Sequence, residues 1–301
     1  MLNIYKRKTL DELTIKHSFV FAAVMLMGDN CKKLLEMVLG IEIESIIVEK
    51  EKSIIYHPEY KGVRLDVIAK DENRTHYNVE MQVQKQMVLG KRSRYYHSQI
   101  DMELLERGEY YESLPNAYVI FVCDFDPFGK RKYKYSFRNI CLEDNKLELK
   151  DGCETIFLST KGANEDEVPK ELVKFLKFVE AKKEESEKDF DDEYVKALQE
   201  SVKQIKDNRT MKERYMIWQE MLRDERNQGR EEGREEGREE GIALGEIKYA
   251  KTLLYSFLDE KGVISESLSE TIFAQTDLAT LNEWIKIALK TTSIEQFLKE
   301  I

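Results

Sequence analysis

The stretch VRLDVIAKDENRTHYNVEMQVQ, residues 63–84, constrains the fold more than any other part of the chain. From Tyr77 to Gln84 apolar and polar residues alternate without a break. That is the period of a strand with one face buried. Leu65-Asp66-Val67-Ile68 reads as a shorter strand with an aspartate set into it, and Asp71-Glu72-Asn73-Arg74 reads as the turn between the two. A three-residue loop, Glu72 to Arg74, with Asn73 or Arg74 in the left-handed region, fixes a register. Asp66 then faces Glu80, Arg64 faces Gln82 and Ile68 faces Asn78, while Leu65, Val67, Val79 and Met81 point to the other side, into the core.

Facing side chains on one sheet surface have Cβ atoms about 4.5–5.5 Å apart. Two carboxylates so placed share a proton or hold a cation. Oxygen ligands with room for water and phosphate suit Mg²⁺, and a magnesium between Asp66 and Glu80 would polarise a phosphodiester and activate a water. The same alternation also describes a plainer arrangement, in which Glu80, Gln82 and Gln84 form the wet face of an edge strand. A one-residue change in the loop would remove the Asp66–Glu80 pairing, and alternation by itself favours the plainer arrangement.

Around the hairpin, residues 1 to about 165 hold the strand-like runs. NAYVIFVCDF (116–125) is a continuous apolar strand, YKYSFRNI (133–140) alternates, and TIFLS (155–159) is short and apolar. Helical spacing covers Ser18 to Leu39 and about Leu89 to Arg107. Helices mixed with strands in this order predict an α/β domain. Beyond it we expect a charged helical region (166–228) and a Gly-Arg-Glu-Glu repeat linker (229–245). A small helical region (246–301) then closes the chain.

If the repeat is helical, each glycine costs about 1 kcal/mol relative to Ala. Pairs such as Glu231–Arg234 and Glu235–Arg238 return a few tenths each. A piece of about 50 residues is marginal as a lone fold. The last helices are therefore expected to pack on the core domain or on a second copy, giving a homo-oligomer through the tail.

Other features narrow the class. A net charge of −10 argues against a general coating of nucleic acid, though not against a local basic groove. Cys31, Cys123, Cys141 and Cys153 make no Cys-x-x-Cys pair, and His17, His57, His76 and His97 show no metal-ligand spacing. No apolar run approaches the roughly 20 residues of a membrane span, and no secretory apolar segment opens the chain. A cytoplasmic protein with reduced thiols and no membrane partner is expected. Lys130, Arg131, Lys132, Lys134 and Arg138 form the densest basic cluster of the core domain. Asp124 and Asp126, beside Pro127 and Gly129, are turn-formers first and metal ligands second. His97 is expected on a helix surface.

Asp66 followed by Glu80-Met81-Gln82 resembles the PD-(D/E)XK motif. TIKHSFVFAAVM, LDVIAKDENRTHYNVEMQVQ, KRSRYYHSQI, VIFVCDFDPFGKRKYKYSFRNIC and TIFLSTKG are together similar to a bacterial family of recombination-promoting nucleases and transposase-like proteins within that superfamily. The likeness covers about residues 10–162 and, loosely, the charged tail. It implies a restriction-endonuclease-like core, a mixed sheet flanked by helices, and Mg²⁺-dependent cleavage of DNA, linked to recombination or mobile elements. Asp66 and Glu80 would bind the metal. Gln82 would stand where the motif lysine usually stands, able to hydrogen-bond but not to supply charge. Another cation is then needed, and Arg92 and Arg94 are the candidates. Arg92, Arg94, Lys130, Arg131 and Lys132 would contact DNA. Ser18 and Ala22 stand where many relatives carry Asp and Lys, which weakens the expectation of activity. The rival expectation is a non-catalytic DNA-binding or protein-interaction module that has kept the nuclease fold.

Overall fold

In the computed structural model, residues 8–54, 63–85, 88–105 and 107–301 are described, and of residues 50–54 and 63–65 the backbone alone. His57 and the side chains of Arg64 and Leu65 therefore lie outside the described residues. Where the apolar spacing predicts one helix there are two, α1 (Ser18–Met25) and α2 (Asn30–Leu39). Gly28 breaks them with a left-handed backbone at φ +51°, which glycine adopts without a Cβ penalty. A strand follows that the sequence pattern did not announce, β1 (Ile46–Ile54).

The hairpin is β2 (Val63–Asp71) and β3 (His76–Gln82). Helix α3 (Leu89–Leu104) then crosses over to β4 (Ala117–Cys123). The edge strand β5 (Lys134–Phe137) and the inner strand β6 (Cys153–Ser159) complete a six-stranded mixed sheet of order β1-β2-β3-β4-β6-β5. Strands β3, β4 and β6 run parallel, and the other pairings are antiparallel.

This topology overturns the edge-strand alternative. Strand β3 lies inside the sheet, paired to β2 on one side and to β4 on the other. Its Asn78, Glu80 and Gln82 sit in register with Val119, Phe121 and Cys123 of β4. These three residues of β4 pack with Leu89, Tyr96 and Ile100 of α3. On the opposite face Val67, Val79 and Met81 are buried, and α1 packs against β1, β2 and β3. Both faces of β3 are covered, so its polar residues are buried.

Three helices follow the sheet, α4 (Lys170–Glu180), α5 (Lys183–Ser186) and α6 (Glu193–Asp207). Leu172, Phe175, Leu176 and Val179 of α4 are buried, as their spacing predicts. Helix α6 packs with α1, α2 and α4, and α4 packs with α2, so these helices belong to the same compact unit as the sheet, Met1–Met216. The long helix α7 (Arg209–Asp259) carries the Gly-Arg-Glu-Glu repeat as unbroken helix, and a Cβ added at Gly229, Gly233, Gly237, Gly241 or Gly245 would meet nothing within 4 Å.

The second unit, Ile217–Ile301, holds α8 (Glu266–Ala274), α9 (Leu278–Lys290) and α10 (Ile294–Glu300). Leu254 and Leu258 of α7 share a small core with Ile272, Leu281 and Phe297. The last helices thus bury their apolar faces on one another and on the end of α7. Among the described residues no helix is long and apolar enough to cross a membrane.

Candidate active site on the β2–β3 hairpin

The turn that sets the register is built as the sequence implies. Arg74 takes the left-handed conformation at φ +63°. The Asp71 N–H donates to the Thr75 carbonyl at 3.2 Å, closing the three-residue loop. The Asp71 carboxylate accepts from the N–H groups of Asn73 (2.9 Å) and Thr75 (2.8 Å) and from the Tyr77 hydroxyl (2.7 Å). The ladder then runs from Lys70–His76 to Val67–Val79, with Ile68 facing Asn78.

Beyond Val67 and Val79, side chains take over the hydrogen bonds between the two strands. The Asp66 N–H donates to Glu80 Oε1 at 3.1 Å, and the Met81 N–H donates to Asp66 Oδ2 at 3.1 Å. Each carboxylate is therefore held against the backbone of the other's strand. The paired ladder ends at Val67–Val79, and these two bonds hold the acids beside one another beyond it.

Glu80 is only 2% exposed. Burial, then repulsion from Asp66, pushes its carboxyl up to about 8, against the pull of Arg92. The guanidinium of Arg92, from the first turns of α3, closes the group. It donates to Glu80 Oε2 at 2.9 Å, to Gln82 Oε1 at 2.8 Å and to the Tyr96 hydroxyl at 2.6 Å. It also lies 5.1 Å from the centre of the Tyr96 ring and 5.9 Å from that of Phe121, within cation–π range. The Gln82 amide donates to the Gln84 carbonyl at 2.7 Å, which turns its oxygen toward Arg92.

The donor set suits a hard cation. Asp66, Glu80 and Gln82 offer oxygen, and the Asn78 side-chain oxygen is buried beside Glu80 with no hydrogen-bond partner. Oxygen donors with one or two carboxylates match Mg²⁺, which completes its shell with water and substrate phosphate. Among the described residues no group of three or more His, Cys, Asp or Glu is placed to hold a metal ion. The hairpin therefore supplies two carboxylates and amide oxygens, not a full protein cage.

The other sequence candidates fall elsewhere. Arg94 is exposed, two residues along α3 from Arg92, and lines a groove with His97, Phe128 and Phe137. Lys130, Arg131 and Lys132 lie in the β4–β5 connection, and Lys132 is paired with Glu167. Lys134 donates to the Val38 carbonyl, and Arg138 pairs with Glu148 and Glu154. Much of the basic cluster is thus tied into the protein's own acceptors.

Asp126 is a turn-former, accepting from the N–H groups of Phe128, Gly129 and Arg131. Asp124 pairs with Lys16 at 3.0 Å and Lys161 at 3.5 Å. His97 is half-buried rather than a surface residue, with Nε2 3.1 Å from the Thr155 hydroxyl. Asn78 and Tyr96 join the site without having been singled out by the sequence. The four-residue step from Arg92 to Tyr96 on one helix face was the available signal for the second of these.

An acidic pair on a hairpin inside a mixed sheet, covered by the crossover helix that follows it, defines a PD-(D/E)XK type of core. The chain belongs to the PD-(D/E)XK nuclease family transposases, whose family profile matches residues 28–232. The match begins after α1 and continues past the sheet through α6 into α7. No curated protein and no solved structure matches the chain.

Proposed function

We propose that the protein is a divalent-metal-dependent DNA endonuclease whose site is Asp66, Glu80, Gln82 and Arg92. The observation that carries this is the shared placement of Asp66 and Glu80, each bonded to the other's strand, with Glu80 buried and its charge disfavoured until a cation is present. A divalent ion held there would supply Lewis-acid polarisation of a phosphodiester and activation of a water. In this reading Asp66 and Glu80 bind the ion, with Mg²⁺ the best fit to the oxygen donors. Gln82 orients through its amide. Arg92 brings the positive charge that glutamine lacks at the position of the motif lysine, and stabilises charge developing on the phosphate.

Membership of a family of transposase-related nucleases supports action on recombining or mobile DNA as the biological setting we favour. Under the same reading the helical tail joins two copies, which would set two sites on opposite strands. Light scattering on the full chain and on one ending at Gln228 separates a dimer from a tethered monomer.

Relaxation of supercoiled plasmid by the purified full chain tests the activity itself. Nicked circles are expected in Mg²⁺ or Mn²⁺ and none in EDTA. Metal-independent nicking would overturn the metal-dependent reading, and no nicking with DNA binding retained would leave the rival reading of a non-catalytic DNA-binding module.

A further inference from the structure

The site does not end at the hairpin. A cleft of about 600 Å³ opens at the carboxyl end of β3, and Gln82 lies in its wall. Crevices outside the carboxyl ends of parallel strands are where α/β sheets place ligands. Its walls come from the segment before α1 and from the junction of α4 and α5. They carry Lys8, Lys16, Lys182 and Lys183 against a single carboxylate, Glu12. Lys16 is paired with Asp124 at 3.0 Å, which still leaves the lining a modest positive excess in a chain of net charge −10.

The acid Glu12 is exposed and accepts from the N–H and hydroxyl of Thr9 at 2.7 Å and 3.0 Å. Lys16 spans the cleft floor between Asp124 and the Glu180 carbonyl. Lys182 and Lys183 form no ion pair with any described carboxylate, in contrast to Lys132 and Arg138 of the β4–β5 region.

We infer that this cleft, with Lys182 and Lys183 as its principal contacts, seats the phosphate backbone of the DNA and leads it to Gln82 and the acidic pair. The inference rests on the nuclease reading for the identity of the polyanion as DNA. It assigns the approach to the lysines beside the carboxyl end of β3 and not to those of the Lys130–Lys132 turn. Lysines as the principal contacts fit sequence-independent contact with phosphates, which positions a duplex without reading it.

The test is fluorescence anisotropy of a labelled duplex of about 30 base pairs, bound by the full chain in EDTA over a salt series. Cleavage cannot then interfere. The double substitution Lys182→Gln with Lys183→Gln should weaken binding on the order of tenfold and flatten the slope of log K against log salt by nearly two, about 0.9 for each phosphate no longer neutralised. A circular dichroism melt matching wild type shows that the variants are folded. Lys286→Gln with Lys299→Gln, two exposed lysines outside the cleft, should bind with the wild-type slope, so a loss of charge anywhere on the chain does not mimic the result. Binding of the double variant with the wild-type slope would overturn the inference, and so would an equal loss on neutralising Lys130 and Arg131. Either outcome would leave the nuclease reading to be judged by cleavage.

Discussion

Removing Arg92 tests how the buried acid is held. Arg92→Ala deletes the bonds to Glu80, Gln82 and Tyr96 and leaves Glu80 buried without its counter-charge. Breaking a buried ion pair from one side costs about 3–5 kcal/mol. The Arg92 side chain is 28% exposed, which points to the lower end. Glu80 can also escape the cost by taking up a proton below its pKa of about 8. We expect a loss of about 3 kcal/mol near pH 9, where the wild-type carboxylate is charged and paired with Arg92. Near pH 6 we expect about 1.5 kcal/mol, the remaining hydrogen bonds from a charged donor. Both tryptophans, Trp218 and Trp284, lie in the second unit, so fluorescence would report on the wrong part of the chain. Hydrogen exchange of peptides covering β3 and α3, in EDTA, reads the right one. An equal loss at both pH values, or a loss below about 0.5 kcal/mol at either, would refute the reasoning, since even a single net hydrogen bond contributes that much.

Two further outcomes follow from the same group of side chains. With the folded-state pKa of Glu80 raised above its ordinary value of 4.5 to about 8, the folded chain holds a proton that the unfolded chain has lost. Metal-free stability should therefore fall as pH rises through that window, by at most about 1.4 kcal/mol per pH unit. Hydrogen exchange across the hairpin should show that fall in wild type and not in Glu80→Gln, and a parallel pH dependence in both would mean that some group other than Glu80 sets it. Gln82→Lys, which restores the usual motif residue, places an ammonium where the Arg92 guanidinium now donates at 2.8 Å. It should destabilise the hairpin by roughly 1 kcal/mol through like-charge repulsion, and a stabilised variant would mean that Arg92 moves aside freely.

Much of the site was legible because a hairpin is a local structure. Period-two alternation and a turn with one residue able to enter the left-handed region were enough to place Ile68 opposite Asn78, and with it Asp66 beside Glu80. What the alternation could not show was the layer above. Glu80 and Gln82 look like a wet face in one dimension, and only the crossover helix α3 buries them. Arg92, which we propose supplies the charge of the motif lysine, comes from that helix, ten positions beyond Gln82, and no short pattern links the two.

Strand β1 was missed because IIVEKEKSI is apolar only at its ends, with the polar run Glu49 to Ser53 between. Its charged residues read as surface, and its pairing partner β2 supplies the order. The split between α1 and α2 turned on Gly28, an isolated glycine that ends one helix inside a continuous helical pattern. The basic cleft was illegible for a simple reason. Lys8 and Lys16 lie more than 150 positions from Lys182 and Lys183, and tertiary packing alone brings them together.

The central claim is that one cation, held by Asp66 and Glu80 together, is needed to cut DNA. Cleavage of supercoiled plasmid in Mg²⁺ by wild type, Asp66→Asn and Glu80→Gln, side by side and with folding checked by circular dichroism, tests it most directly. The account predicts nicking by wild type and a loss of at least about a hundredfold in each variant, since a metal ligand removed from an oxygen site costs the several kcal/mol of charge stabilisation that the ion supplies. Cleavage that survives in both variants would contradict it and place the chemistry elsewhere, with Asp124 and Asp126 the next acids to test.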